Sequence, residues 1–148
     1  MKIAEALQGV PHIFLDTAPV IYYVEGHPSY AARTDVIFER LDRGEFRAVT
    51  SPITLAECLI IPYRANLLNL VDDFIDLIVD GSSTTFVSID QSVGHRAAEL
   101  RARYNLSLTD ALQIATALGA GCEALLTNDS ALRRVDELRV LVLDELEL

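Results

Sequence analysis

Four carboxylates in this chain sit where a charge is hard to keep without compensation. Asp16 follows the apolar run His12-Ile13-Phe14-Leu15, and Glu57 stands among Ala56, Cys58, Leu59, Ile60 and Ile61. Asp110 lies at the start of an apolar helical stripe, in Ser107-Leu108-Thr109-Asp110, and Asp129 closes Thr127-Asn128-Asp129 after Ala124-Leu125-Leu126. Burying an unpaired carboxylate is costly, so something must compensate for Asp16 and Glu57. If the four acids converge, like charges about 4 Å apart repel by roughly 1 kcal/mol per pair in water and roughly 4 at an effective dielectric of 20. Such a cluster needs protons or a divalent cation. Oxygen ligands without His or Cys suit Mg²⁺, or Mn²⁺, better than zinc. A carboxylate-held Mg²⁺ with open water positions suits phosphoryl chemistry, because it activates a water nucleophile and offsets charge on the attacked phosphate.

Each acid also has an ordinary explanation. Thr54 to Glu57 and Ser107 to Asp110 both have the spacing of a capping box. Asp129 can cap a short following helix, and Asp16 can be the wet end of a strand. For Glu57 the cap is the weaker reading. Ser51-Pro52 already supplies a helix start, which places Glu57 inside the helix.

The elements that would position these acids alternate between strand and helix. Residues 1–11 read as a helical lead-in ending at Gly9-Val10-Pro11, with a single domain over 12–148. Strands are predicted at His12–Asp16, Phe46–Thr50, Thr84–Ile89, Ala124–Thr127 and Arg139–Leu143, from short apolar or β-branched runs. Helices are predicted after Thr17, over Tyr30–Arg43, from Pro52 to a stop or kink at Pro62, and over Leu70–Val79, Gln91–Tyr104 and Leu108–Leu118. This alternation predicts a three-layer α/β/α fold around a mainly parallel sheet of about five strands. Ligands of such sheets bind beyond the carboxyl ends of the strands, where the strand order reverses. Asp16 and Asp129 are predicted at that end, and Glu57 and Asp110 lie early in helices that can open near it.

The net charge of −10 argues against sequence-specific DNA binding by this chain alone, since that affinity rests on neutralising phosphates. An acidic metal site tolerates such a charge, because the cation inverts it locally. Lys2 is the only lysine among the twelve basic residues; the rest are arginines, suited to gripping phosphate, with Arg33 and Arg64 as rim candidates. No apolar run is long enough to span a bilayer, and the N-terminus lacks the apolar core of a secretion signal, so a cytoplasmic protein is expected. Cys58 and Cys122 then read as buried thiols rather than a disulfide, and His12, His27 and His95 receive no catalytic role. A mean hydropathy of +0.27 points to a dense core or an apolar face for a partner. Ile60, Ile61, Tyr63, Leu67, Leu70 and Leu77 are expected mainly in the core, with some left for such a face.

Phe14-Leu15-Asp16-Thr17, Ser51 to Glu57, Leu108-Thr109-Asp110 through Ala117, and Leu125-Leu126-Thr127-Asn128-Asp129 together resemble the PIN domain, and most closely its VapC-like toxin ribonucleases. The Asp110 stretch and the Thr127-Asn128-Asp129 turn are the most specific parts. The resemblance implies a Mg²⁺-dependent endoribonuclease, usually dimeric, that acts on RNA and is neutralised by an antitoxin protein. It maps the family's acids onto Asp16, Glu57, Asp110 and Asp129, with Thr17, Thr127 and Asn128 in support. Two departures concern the subfamily: Leu132 stands where an aromatic is common, and the lead-in is longer than usual. Other readings are a PIN-fold nuclease that is not a toxin, a non-catalytic module of the same fold, and an Asp16-based phosphatase or phosphoacceptor, which the lack of lysines disfavours.

Overall fold

A computed structural model describes all 148 residues, Met1–Leu148. Five strands form one wholly parallel sheet: β1 (His12–Leu15), β2 (Arg47–Thr50), β3 (Thr84–Phe86), β4 (Ala124–Thr127) and β5 (Arg139–Val142), in the order β3-β2-β1-β4-β5. The central strands are apolar along their length because both faces are covered. The pleat turns Ile13, Leu15, Ala48 and Leu126 to one face, where they pack with Val20, Phe38, Cys58 and Phe74. These come from α2 (Thr17–Glu25), α3 (Ala31–Asp42), α4 (Pro52–Arg64) and α5 (Leu68–Ile78). Phe14, Val49 and Leu125 face the other way and pack with Ala97, Leu100, Ile114 and Ala115 of α6 (Gln91–Tyr104) and α7 (Leu108–Gly119). The result is the expected α/β/α arrangement. Helix α1 (Ile3–Leu7) buries Ile3, Ala6 and Leu7 in the first of these cores.

The departures are local. β3 stops at Phe86, three residues short of the expected end; as an edge strand it makes one more bond, Val87 N–H to Thr50 O at 3.0 Å, before the chain turns to the Asp90 cap of α6. α4 passes through Pro62 and ends at Arg64. A proline so near the end disturbs only the final turn, and its ring is buried. Ile60, Ile61, Tyr63 and Leu67, expected mainly in the core, are exposed instead, Ile61 at 64% and Tyr63 at 58%, because the buried stripe of α4 runs through Thr54, Cys58 and Pro62. With Leu68 they leave an apolar surface at the α4–α5 corner. The thiols of Cys58 and Cys122 are buried and unpaired, and burial pushes both up to about 12.

A buried polar chain fixes the carboxyl end of the sheet. The Ser51 hydroxyl caps α4 by accepting from Ile53 N (3.1 Å) and Thr54 N (3.3 Å), and it donates to Gln113 Oε1 on α7. Gln113 Nε2 donates to Thr54 Oγ1 at 2.8 Å, and Thr54 Oγ1 donates to the Leu15 carbonyl at 3.1 Å. All three side chains are buried. The donors run in one direction, so helices on opposite faces of the sheet are tied to the residue before Asp16. Gln113→Leu fills similar volume but strands the Ser51 donor and the Thr54 acceptor. The expected loss is roughly 1–3 kcal/mol of folding stability, measured as a lower urea midpoint with an unchanged slope.

Candidate functional site

The strand order reverses between β1 and β4, and the crevice beyond their carboxyl ends is where an open α/β sheet binds ligands. Asp16 is the first residue past β1 and is half-buried. Its N–H donates to Leu126 O at 3.0 Å, which holds it against β4. Its carboxylate accepts from Thr17 N at 2.9 Å through Oδ1 and from Thr127 Oγ1 at 2.7 Å through Oδ2. Burial raises the Asp16 pKa, the bonds from Thr127 and Thr17 oppose this, and the charges of Asp110 and Glu57 raise it further. The carboxylate is thus half-compensated by the protein and still strained by neighbouring negative charge.

Glu57 lies on the exposed outer face of α4, contrary to the expectation from its apolar sequence neighbours. Cys58 turns into the core, whereas Ala56, Ile60 and Ile61 share the exposed face with Glu57, so the carboxylate stays in water. Its Oε1 accepts from Thr17 Oγ1 at 2.8 Å. Thr17 therefore joins two of the acids, its N–H serving Asp16 and its hydroxyl serving Glu57. Asp110 is half-buried at the third position of α7, where its N–H donates to the capping Ser107 hydroxyl at 3.1 Å. The α7 N-terminus offers a positive end to carboxylates there.

The turn after β4 divides its three residues among three tasks. Thr127 is buried; its hydroxyl donates to Asp16 and accepts from Asp129 N at 3.1 Å. Asn128 turns away from Asp16, its Oδ1 accepting from Asp144 N at 2.9 Å. Asp129 is exposed and uses Oδ1 to cap the 3₁₀ turn Ser130–Arg134 through Ala131 N at 3.0 Å. The ordinary capping role weighed for Asp129 is therefore present, and it leaves the second carboxylate oxygen without a protein partner.

Glu57 and Asp110 are near enough for their charges to act on Asp16, and Asp129 reaches Asp16 through Thr127. The four do not close around a point: no three acidic, histidine or cysteine side chains stand together at metal-holding distance. In kind, the donors fit Mg²⁺ or Mn²⁺, being oxygens only, and the charge strain on Asp16 is of the sort a cation relieves. In position, Asp16 and Asp110 are half-buried while Glu57 and Asp129 are exposed, each bonded through one carboxylate oxygen, so packing does not block their rotation towards Asp16. The largest cavity, about 700 Å³, lies elsewhere, between α1, the 3₁₀ turn and β5, lined mostly by residues such as Val135, Leu138, Val140 and Leu146. It holds none of the four acids, of which Glu57 and Asp129 are exposed and Asp16 and Asp110 half-buried.

Of the two rim arginines considered, Arg33 is committed: its guanidinium donates to Leu143 O at 3.0 Å, lies 3.9 Å from Asp144 and sits 5.6 Å from the centre of the Tyr30 ring. Arg64 is exposed at the far end of α4. Sequence reasoning missed the Ser51–Gln113–Thr54 chain, although Gln113 is the one amide in the apolar run Ala111 to Ala115 and thus carries a signal. It also missed Asp144 and Tyr30, which meet Asn128 only through the fold.

The PIN domain family model matches residues 13–138. A search among proteins of curated function found no match. Solved structures of similar shape include VapBC2 from Rickettsia felis bound to a fragment of its promoter DNA, at TM-score 0.69 and 18% identity over 88% of this chain and 98% of that one. FitAcB from Neisseria gonorrhoeae matches at TM-score 0.66 and 19% identity, over 90% and 99%. VapC20 from Mycobacterium tuberculosis, a toxin that cleaves the sarcin–ricin loop, matches at 0.63 and 14%, over 76% and 86%. The five-stranded parallel sheet with its switch point between β1 and β4 and a family match over most of the sequence agree: this chain belongs to the PIN domain family.

Proposed function

We propose that this chain is a divalent-cation-dependent endoribonuclease and the toxin of a toxin–antitoxin pair. The observation that carries the reading is Asp16, a strained carboxylate at the switch point, joined through the N–H and hydroxyl of Thr17 to Glu57 on one side and through the Thr127 hydroxyl to the Asp129 turn on the other. Structural charge pairs are balanced by cations, whereas this group of acids has no lysine, arginine or histidine bonded to it. Nucleases of the PIN family generally use divalent metals, and one protein of similar fold cleaves the sarcin–ricin loop of RNA.

Asp16, Asp110 and Asp129 would hold the cation, directly or through water, with Glu57 completing the site or serving a second ion. Mg²⁺ is the expected ion, with Mn²⁺ able to replace it. When bound, the cation supplies a water of lowered pKa and charge compensation at the phosphate. Thr17 holds Glu57 and Asp16 in fixed relation, and Thr127 favours the ionised form of Asp16 by donating to it. The open setting of the acids suits an RNA strand, which a closed pocket would exclude.

The exposed surface formed by Ile60, Ile61, Tyr63, Leu67 and Leu68 suits a protein partner, an antitoxin or a second copy of the chain. Proteins of similar fold have been solved as toxin–antitoxin complexes. No helix is long and apolar enough to cross a membrane, and unpaired buried thiols suit the cytoplasm. A second reading, a non-catalytic PIN-fold module, draws support from the present spread of the acids.

Incubation of the protein with structured RNA in Mg²⁺ should yield fragments with 5′-phosphate and 3′-hydroxyl ends, and EDTA should stop the reaction. Asp16→Asn should abolish cleavage; cleavage surviving both chelator and substitution would sink the assignment, and no cleavage by the native protein would favour the binding-module reading. The folded chain holds the Asp16 proton more tightly than the unfolded chain, so ionising Asp16 costs stability as pH rises through its raised value. In EDTA at neutral pH, Asp16→Asn should therefore melt no lower than the native protein. Thr127→Val keeps the buried shape but removes the bond that pulls Asp16 down. It should lower cleavage about tenfold or more, the cost of losing a charge-assisted bond, and move the acid limb of the pH–rate profile to higher pH.

A further inference from the structure

The chain after β5 is anchored from several sides. Leu143 and Leu146 are buried in the first core, Ile3 N–H donates to Glu147 O at 2.8 Å, and Glu147 N–H donates to Met1 O at 2.8 Å. Arg133, in the 3₁₀ turn that Asp129 caps, pairs with Glu145. Between these anchors the short 3₁₀ turn Leu143–Glu145 is gripped from α3, where Arg33 donates to Leu143 O and faces Asp144, and the Tyr30 hydroxyl lies against both Asp144 and Asn128. Tyr30 is itself held, stacked on Tyr22 with ring centres 4.2 Å apart. The segment is therefore a fixed post, and its Asp144 N–H donates to Asn128 Oδ1.

This post meets the catalytic turn from the side opposite Asp16. Residue 127 is tied inward to Asp16 and residue 128 is tied outward to Asp144, so residue 129 is left with little freedom. Without the outward tie, Asp129 is held only by bonds within its own stretch, to Thr127 Oγ1, Ala131 N and Leu132 N, and nothing outside residues 127–132 fixes it against Asp16 except Thr127.

We propose that Asn128, Asp144, Arg33 and Tyr30 form a latch that sets where the Asp129 carboxylate stands relative to Asp16, and through it the affinity of the acidic site for a divalent cation. The four are positioning residues. The proposal rests on the reading of the acids as a cation site. It assigns Asn128 a partner across the fold and gives a role to Arg33 distinct from gripping RNA.

The test is Mn²⁺ binding to the full chain, followed by electron paramagnetic resonance without RNA, together with thermal melting in EDTA. Asn128→Ala removes the acceptor for Asp144, and Arg33→Leu loosens the post from α3 at a residue bonded to none of the four site acids. Each should weaken Mn²⁺ binding about tenfold, the scale of losing an outer-shell partner. Asn128→Ala lies on the surface and should melt within a few degrees of the native protein. A purely structural role would lower the melting temperature and leave the affinity of the folded protein unchanged, and native affinity in Asn128→Ala would overturn the latch. Asp16→Asn separates the two levels of the argument. If native protein and Asp16→Asn bind Mn²⁺ equally, or neither binds it, the cation site fails and the latch with it. If Asp16→Asn alone loses binding while both latch variants keep it, the site stands and the latch falls.

Discussion

The Thr127 hydroxyl is the joint on which the site is built. It comes from the last residue of β4, donates to the first carboxylate past β1, and accepts the N–H of the residue that carries the fourth acid. A hydroxyl can do both at once, which a valine of the same shape cannot. This bond ties together residues 111 positions apart in sequence, at the place where the strand order reverses. Everything else at the site is arranged about it: Thr17 on one side extends the acids to Glu57, and Asn128 on the other extends them to the post after β5.

The site works against the fold's own electrostatics. A half-buried carboxylate near two other acids would be relieved by protonation, or by replacement with an amide. The protein instead surrounds Asp16 with donors that partly sustain its charge and supplies no basic side chain to finish the task. Stability is surrendered locally and recovered elsewhere, in two cores that leave the central strands buried on both faces and in the Ser51–Gln113–Thr54 chain that steadies the strand end behind Asp16.

Much of this was legible in the sequence because local patterns carried it. Short apolar strands and capped helices gave the layer order, since buried parallel strands and amphipathic helices have different periods. Asp16 and Asp129 could be placed at the carboxyl ends of their strands for the same reason. Glu57 shows the limit. Its sequence neighbours are apolar, but a helix sends consecutive residues to different faces, and only the buried stripe through Thr54, Cys58 and Pro62 reveals that Glu57 points to water. The misplacement of Ile60, Ile61 and Tyr63 has the same origin. Asp144, Tyr30 and Arg33 could not be read at all, because their link to Asn128 is made by packing between distant elements and no local spacing encodes it. Asn128, next to Asp129, looked by resemblance like part of the pocket, and only the fold shows its amide bonded to Asp144 instead.

The order of the strands also governs when the pocket comes into being. β1 is made early, but its neighbour β4 and the acids at 110 and 129 belong to the last third of the sequence. A chain growing on the ribosome can form β1, β2 and the helices between them, yet the place beside β1 stays empty until residues 124–127 have left the exit tunnel. With this topology the acids before and after β4 can come together beside β1 only once residues 124–129 have emerged, so the site is completed late although its first carboxylate is made early.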